Sequence, residues 1–173
     1  MDKLELEQCI QEYGRDIYSF CKHLTCNVQD ADELYQDTFL KAVELYWKID
    51  GQENPKSYLL SIAVRLWKNR RRKEAWRNRI ASVVSLTEEQ EENLTGGVEI
   101  SPEETYLVNE EMQIVRSAVD KLPEKLKVCV LLFYMEDLSV AQVAKTLKLP
   151  EGTVKSRLYQ ARKLLEKELE NVL

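Results

Sequence analysis

The chain has 173 residues and a formal net charge of −5; 44% of the residues are hydrophobic, and only 5 are glycine and 4 proline. This length leaves room for one medium or two small packed domains, and the scarcity of glycine, proline and strand-like alternation predicts an all-helical fold. No stretch approaches the roughly 18 apolar residues of a membrane span, and the N-terminus lacks a signal-peptide pattern. We therefore expect a cytoplasmic protein without membrane insertion.

Charge alternates along the chain in four blocks. Residues 1–50 carry 5 basic and 11 acidic side chains, and residues 51–80 carry 9 basic and 2 acidic ones. Residues 81–120 carry 1 basic and 10 acidic side chains, and residues 121–173 carry 10 basic and 7 acidic ones. Basic blocks can contact phosphates, whereas acidic blocks suit a partner protein or imitate nucleic acid.

Two helices are predicted in the first acidic block, at residues 4–24 and 30–47. Asp30 has capping-box spacing to Glu33, which predicts the start of the second helix. The outer face of this helix is polar but includes Leu40. An apolar residue among carboxylates is either an ordinary surface residue or the anchor of a docking surface.

A third helix is predicted to begin at Asn54-Pro55, since asparagine caps helices and proline suits a first helical turn. Its second half carries a dense basic run interleaved with Trp67 and Trp76. This run is either a solvated helix end or a phosphate-binding surface with aromatic platforms for unstacked bases. The clustering of positive charge in an acidic protein favours the second interpretation.

The four cysteines predict no disulfides in a cytoplasmic protein. Cys21, His23 and Cys26 are close in sequence, but a closed zinc site needs four ligands and no second pair follows. We therefore favour core or surface thiols over a metal site, and we expect no cofactor.

The segment from Leu138 to Leu165 predicts a helix-turn-helix. Ser139 and Gln142 have capping-box spacing at the start of its first helix, and residues 148–150 form the turn. One face of the second helix is apolar; the opposite face carries Ser156, Tyr159, Gln160 and Lys163. This outer face suits reading of the DNA major groove, whereas an ordinary helical hairpin is the plain alternative.

This segment and its surroundings resemble the C-terminal domain of the extracytoplasmic-function sigma factors of bacterial RNA polymerase. The matching elements are Leu122-Pro123, the apolar stretch Val128 to Tyr134, Leu138-Ser139, Val143-Ala144, Gly152 to Arg157 and Arg162-Lys163. The resemblance implies binding of the −35 promoter element by Thr153, Lys155, Ser156, Arg157, Tyr159, Gln160, Arg162 and Lys163. Gln160 stands where many members carry a basic residue.

The N-terminal half is similar to the N-terminal domain of the same family, in the segments Ala31 to Phe39 and Tyr58 to Ala63. The first segment implies binding to the clamp of core polymerase by Asp32, Glu33, Gln36, Asp37, Phe39 and Leu40. The second segment, with the loop before it and the basic run after it, implies binding and opening of the −10 element. The residues implied are Asp50, Gln52, Asn54, Lys56, Ser57, Arg65, Trp67, Lys68, Arg70, Arg71 and Arg72.

The stretch between the halves, Ser82 to Ile100, has weak periodicity, many acidic residues and Gly96-Gly97, which is typical of a flexible linker. The resemblance implies that this linker passes through the polymerase near the RNA, with an inert tether as the alternative. We therefore predict two small helical domains, at residues 1–80 and 102–173, joined by an acidic linker at residues 81–101.

The function predicted from this resemblance is that of an alternative sigma factor, which binds core RNA polymerase and promoter DNA and is not an enzyme. An anti-sigma partner follows only from the habit of the family. A stand-alone helix-turn-helix regulator of duplex DNA is the main alternative, although no dimerisation or ligand-binding signature supports it. For an enzyme, the sequence offers no phosphate-binding glycine loop and no nucleophile with a nearby histidine.

Overall fold

A computed structural model describes residues 1–50, 53–84 and 110–172, apart from the side chains of residues 83 and 84. All regular structure in these ranges is helical, which confirms the predicted all-α fold. Residues 81–84 of the predicted linker continue the third helix, and residues 85–101 lie outside the described residues. None of the helices seen in the described ranges is both long and apolar enough to cross a bilayer.

The N-terminal half consists of α1 (Lys3–Thr25), α2 (Val28–Leu45), a 3-10 turn (Tyr46–Lys48) and α3 (Pro55–Val84). Their inner faces bury Ile17, Phe20, Leu34, Leu59 and Leu60 completely or almost so. Removal of a side chain as large as that of Phe20 from such a core typically costs about 3–5 kcal/mol. The three helices therefore form a rigid support for the side chains on their outer faces.

The start of α2 differs from the prediction. Cys26 adopts a left-handed conformation with φ 53° and ends α1, so the chain reverses at once. Asn27 is then extended, and its side-chain oxygen accepts a hydrogen bond from the backbone N–H of Asp30 at 3.0 Å. The cap is therefore Asn27, and the prediction of Asp30 was wrong because the helix begins two residues earlier.

The C-terminal half consists of α4 (Glu110–Asp120), α5 (Glu124–Val130), a π-helical turn (Leu131–Met135), α6 (Val140–Leu147) and α7 (Glu151–Val172). The capping box predicted at the start of α6 is confirmed. The backbone N–H of Ser139 donates to Gln142 at 2.9 Å, and that of Gln142 donates to the Ser139 hydroxyl at 3.1 Å. Lys148, with φ 54°, ends α6 and turns the chain into α7, which completes the predicted helix-turn-helix.

The two halves lie against one another. α3 packs on α6, and α1 packs on the π-helical turn. The buried apolar residues of both halves join in one hydrophobic cluster, which extends from Leu6 in α1 to Ala161 in α7. This packing places the start of α3 beside the helix-turn-helix.

Candidate nucleic-acid and protein interfaces

The outer surface of α3 faces α6 across a cleft of about 1010 Å³. Asn54, Ser57, Arg65, Lys68 and Arg72, all predicted to bind the −10 element, line its α3 side. The opposite wall adds three cations and polar groups that were not predicted: Lys41, Lys145, Lys148, Gln142 and Thr146. Five of the predicted residues are thus brought together at one concave surface.

Positive charge dominates this cleft. Burial lowers the pKa of Lys68, and the neighbouring guanidinium groups of Arg157 and Arg72 lower it further. Burial removes water from these cations and so disfavours their charged form. An anion such as a backbone phosphate of DNA would stabilise the charged form. The cleft is therefore chemically suited to phosphate.

Four other residues of the predicted −10 set are engaged within the protein. Arg70 forms ion pairs with Glu33 at 3.6 Å and with Asp37, both on α2. Arg71 pairs with Glu124 of α5. The remaining two are Lys56, in an ion pair with Glu136, and Trp67, which is buried in the core.

The loop before α3 carries the cap of this helix and Asp50 of the same set. The side-chain oxygen of Asn54 accepts hydrogen bonds from the backbone N–H groups of Lys56 at 3.1 Å and Ser57 at 3.4 Å, which confirms the predicted cap. Asp50 is exposed, and Gln52 lies outside the described residues. Trp76 on the last turns of α3 is 63% exposed, so it offers the free aromatic face that the buried Trp67 does not.

The outer face of α7 is open to solvent as predicted. Six of the eight predicted −35 residues are exposed: Lys155, Ser156, Tyr159, Gln160, Arg162 and Lys163. Thr153 and Arg157 are half-buried. Burial raises the pKa of the Cys129 thiol, and the nearby guanidinium of Arg157 partly offsets this effect. The Nε of Arg162 donates to the hydroxyl of Tyr134 at 2.5 Å, which holds this guanidinium at one edge of the face.

An apolar stripe runs along the outer face of α2 and the turn after it. Leu40 is 64% exposed, Val43 52% and Trp47 64%. The helical count predicted the exposure of Leu40 but missed the other two residues. Their spacing of three and seven positions from Leu40, opposite the buried Leu34 and Ala42, was the available signal.

Polar residues surround this stripe. Glu33, Gln36, Asp37 and Asp32 are exposed on α2, and Asp32 accepts a hydrogen bond from the hydroxyl of Tyr18 at 2.5 Å. Phe39 is half-buried, and its ring packs edge-on against Tyr35 with centroids 4.8 Å apart. Phe39 therefore supports the helix from inside, whereas an exposed apolar anchor ringed by carboxylates is typical of a protein-binding surface.

Cys21, His23 and Cys26 have structural roles at the end of α1. Cys21 is fully buried, and the thiol of Cys26 donates to the carbonyl of His23 at 3.4 Å. The Nζ of Lys127, on α5, lies 2.8 Å from the Cys26 sulfur. No group of three ligating side chains in the described residues could hold a metal ion.

Thiol labelling of the folded protein is expected to modify Cys26 alone. Burial raises the pKa of Cys21 to about 12, so about one molecule in ten thousand carries its thiolate at pH 8. Cys9 and Cys129 are buried as well, whereas Cys26 is half-exposed. Intact mass after brief iodoacetamide treatment should show one adduct, and Cys26→Ser should show none. Rapid labelling of Cys21 in the native state would contradict this assignment.

Comparison with protein families identifies both halves. Residues 9–77 match the family model of sigma-70 region 2, which covers α2 and most of α1 and α3. Residues 112–165 match the family model of sigma-70, region 4, which covers the helix-turn-helix. The apolar stripe on α2 and the basic face of α3, formed by Arg65, Lys68 and Arg72 along the cleft, lie within the residues that match region 2. The outer face of α7 lies within the residues that match region 4.

Curated relatives span nearly the whole chain. The ECF RNA polymerase sigma factor SigW of Bacillus subtilis is 28% identical over 165 residues, which cover 92% of this chain and 86% of the relative. The RNA polymerase sigma-H factor of Pseudomonas aeruginosa is 27% identical over 176 residues, which cover 99% of this chain and 90% of the relative.

Two solved structures share the fold. The sigma factor RpoE from Bartonella quintana, in complex with the anti-sigma factor NepR, superposes with a TM-score of 0.74 at 20% identity; the match covers 96% of this chain and 97% of RpoE. CnrH, in complex with the cytosolic domain of CnrY, superposes with a TM-score of 0.67 at 17% identity, covering 98% of this chain and 90% of CnrH. With sigma-70 regions 2 and 4 present in one chain, and with relatives of this type along its length, the protein belongs to the extracytoplasmic-function sigma factors.

Proposed function

We propose that this alternative sigma factor divides promoter-specific initiation among three surfaces of the described fold. The apolar stripe on α2 docks on core RNA polymerase, the basic face of α3 holds the −10 element, and the outer face of α7 reads the −35 element. The observation that carries this proposal is the presence of three exposed surfaces of different chemistry, two within the residues that match region 2 and one within those that match region 4. The protein then acts as an initiation factor in the cytoplasm, and the chemistry of RNA synthesis belongs to the polymerase.

The docking surface is proposed from its exposure and its chemistry. Leu40, Val43 and Trp47 together would bury a large apolar area, and tryptophan is enriched among residues that dominate binding energies. The carboxylates of Glu33 and Asp37 are held in place by Arg70, so this acidic rim is already ordered before a partner arrives.

Strand opening is proposed for the basic face of α3. Arg65, Lys68 and Arg72 form no ion pair within the described part of the chain, so their charges are available to phosphates. Trp76 supplies an exposed ring on which an unstacked base could lie, worth about 1–3 kcal/mol per stacked base. Arg70 and Arg71 serve this surface indirectly, through the ion pairs that fix α3 against its neighbours.

We also propose a protein partner that restrains the free sigma factor. RpoE of Bartonella quintana was solved with an anti-sigma factor, and CnrH with the cytosolic domain of CnrY. The same exposed surfaces that suit polymerase would suit such a partner. Co-purification from the native host, followed by competition with core polymerase, tests this assignment.

The proposed function is tested by reconstitution with purified core RNA polymerase. We expect the protein to co-elute with core polymerase and to enrich a discrete set of promoters from a genomic fragment library. Binding to duplex DNA without polymerase, together with no association with core polymerase, would instead identify a stand-alone helix-turn-helix regulator. The enriched set would also give the −10 and −35 sequences.

Mutations on the outer face of α7 should distinguish a residue that reads a base from a residue that binds phosphate. Gln160 is exposed at the centre of the outer face, and its amide can pair with one base edge. We expect Gln160→Ala to relax the preference at one base pair by about 1–3 kcal/mol. Arg162→Ala should weaken all sequences alike, because this guanidinium lies at the edge of the face on Tyr134.

Competition binding of the holoenzyme on a library of single-base −35 variants measures both effects. A matched control is Lys167→Ala, an exposed cation on the last turns of the same helix. Equal and uniform losses from Gln160→Ala and Arg162→Ala would contradict the division between base and phosphate contacts.

A further inference from the structure

A buried ammonium group without a hydrogen-bonded carboxylate lies beside Cys26. The side chain of Lys127 is only 7% exposed, and its Nζ lies 2.8 Å from the Cys26 sulfur. The carboxylate that it faces is that of Asp120, whose Oδ1 is 3.8 Å from Nζ, which is beyond hydrogen-bond distance. This Oδ1 is itself buried and makes no hydrogen bond in the described part of the chain. Because lysine is almost never buried without a partner, the sulfur is the group in position to complete this pairing.

Positive charge predominates at the end of α1, where Cys26 lies. Burial lowers the pKa of neighbouring His23, and three cations lower it further against one opposing carboxylate. The cations are Arg116, Lys127 and Lys22, and the carboxylate is Asp120. Nearby cations favour the thiolate form of a cysteine, and the thiolate is the form that attacks oxidants.

Cys26 is also accessible to small molecules. It is half-exposed, whereas Cys9, Cys21 and Cys129 are buried. The left-handed backbone that ends α1 and the hydrogen bond from its thiol to the carbonyl of His23, at 3.4 Å, hold the sulfur in one position. Reactive cysteines are typically partly exposed and lie in positive surroundings, whereas buried structural thiols are inert. Cys26 meets both conditions.

We propose that Cys26 is a site of reversible oxidation by hydrogen peroxide, at which Lys127 supplies the positive charge that favours the reaction and holds its anionic product. The sulfur attacks one oxygen of peroxide, so that an S–O bond forms and the O–O bond breaks. The departing hydroxide takes the thiol proton and leaves as water; sulfur is oxidised and peroxide is reduced. The resulting sulfenic acid releases its proton to solvent, and the sulfenate oxygen pairs with the ammonium of Lys127.

Thiols in solution reverse the modification. A first thiol condenses with the sulfenic acid, which releases water and leaves a mixed disulfide on Cys26. A second thiol attacks this disulfide, takes the first thiol with it as a new disulfide and restores the Cys26 thiol. Neither Cys26 nor Lys127 belongs to the surfaces proposed for polymerase or promoter DNA, so the site is a feature of the protein separate from those surfaces.

Trapping with dimedone, which reacts with sulfenic acids, tests the proposal on the full chain. After brief exposure to peroxide at neutral pH, we expect one adduct, which peptide mass mapping places on Cys26. Dithiothreitol added before dimedone should prevent the adduct, and Cys26→Ser should give none. No adduct in the unmodified protein, or an adduct on a buried cysteine instead of Cys26, would overturn the proposal.

Two variants separate the charge of Lys127 from a structural role. Lys127→Met removes the charge and keeps most of the length, whereas Lys127→Arg keeps a cation. We expect the first variant to react with peroxide at least about threefold more slowly and the second to regain most of the rate. Loosening of the fold would instead expose Cys26 and speed its reaction, so the direction of the change distinguishes the two roles. Lys125→Met is the matched control, because Lys125 is exposed on the same helix.

Alkylating reagents of different charge give an independent measurement. Iodoacetate is an anion and iodoacetamide is neutral, and a cation beside the sulfur attracts the anion. The ratio of their rates at Cys26 should therefore fall at least about twofold in Lys127→Met and stay unchanged in Lys125→Met. An equal or faster reaction of Lys127→Met with peroxide, or an unchanged ratio of the two reagents, would overturn the part assigned to Lys127.

Discussion

Replacing Leu40 by arginine is expected to abolish assembly with core RNA polymerase while leaving the fold intact. Leu40 is 64% exposed at the centre of the apolar stripe on α2, with Val43 on the next turn. An arginine there would place a charge in a contact that must exclude water, and central anchors of this kind typically contribute 2 kcal/mol or more, about thirtyfold in affinity. Surface substitutions usually change the free energy of unfolding by less than about 0.5 kcal/mol.

The measurement combines co-elution with core polymerase and a thermal melt of the free variant. Leu4→Arg is the matched control, since Leu4 is equally exposed, at 63%, but lies on a different helix, α1. Trp47→Ala should weaken assembly in the same direction. Normal assembly of Leu40→Arg would remove α2 from the polymerase interface, and a large loss of melting temperature would show that Leu40 supports the core.

Neutralising Arg65, Lys68 and Arg72 together is expected to reduce open-complex formation severely. These cations line the cleft beside α3 and make no ion pair within the described ranges. Three lost phosphate contacts on a single strand should lower the slope of log affinity against log salt by about 2. Association with core polymerase should be retained, because the stripe on α2 is not altered.

Permanganate footprinting of unpaired thymines at several salt concentrations is the readout for the triple glutamine variant. The control triple variant neutralises Lys3, Arg15 and Lys125, which are exposed on α1 and α5 and change the net charge by the same amount. An unchanged footprint in the first variant would leave the basic face of α3 with only a solvating role. Equal losses in both variants would assign the effect to net charge and not to this face.

The helix-turn-helix could be predicted from sequence because its determinants are local. The capping box of Ser139 and Gln142 and the apolar spacing of Val154, Leu158 and Ala161 all act within a few residues of one another. The exposure of Leu40 followed from the same periodicity. The start of α2 was misplaced because Asn27 and Asp30 are both residue types that can cap a helix, and the left-handed turn at Cys26 decided between them.

The sequence could not show which side chains of α3 are paired or buried within the protein and which are free to bind DNA, because this depends on residues far away in the chain. Lys56 is paired with Glu136, and Arg71 is paired with Glu124. Trp67 was predicted to face DNA with its basic neighbours, but it lies in the core, since its position on α3 turns toward the packed side. A sequence pattern places these side chains on a helix but does not show which other helix will cover them.

The central assignment, a sigma factor that reads two promoter elements through two halves of one chain, is tested most directly by transcription with purified core polymerase. The template carries an enriched promoter, or the same promoter with either element scrambled. We expect specific RNA only when the protein is present, and at least about a tenfold loss when either the −10 or the −35 element is scrambled. Specific transcription that is equally strong on all three templates, or that does not require the protein, would contradict this assignment.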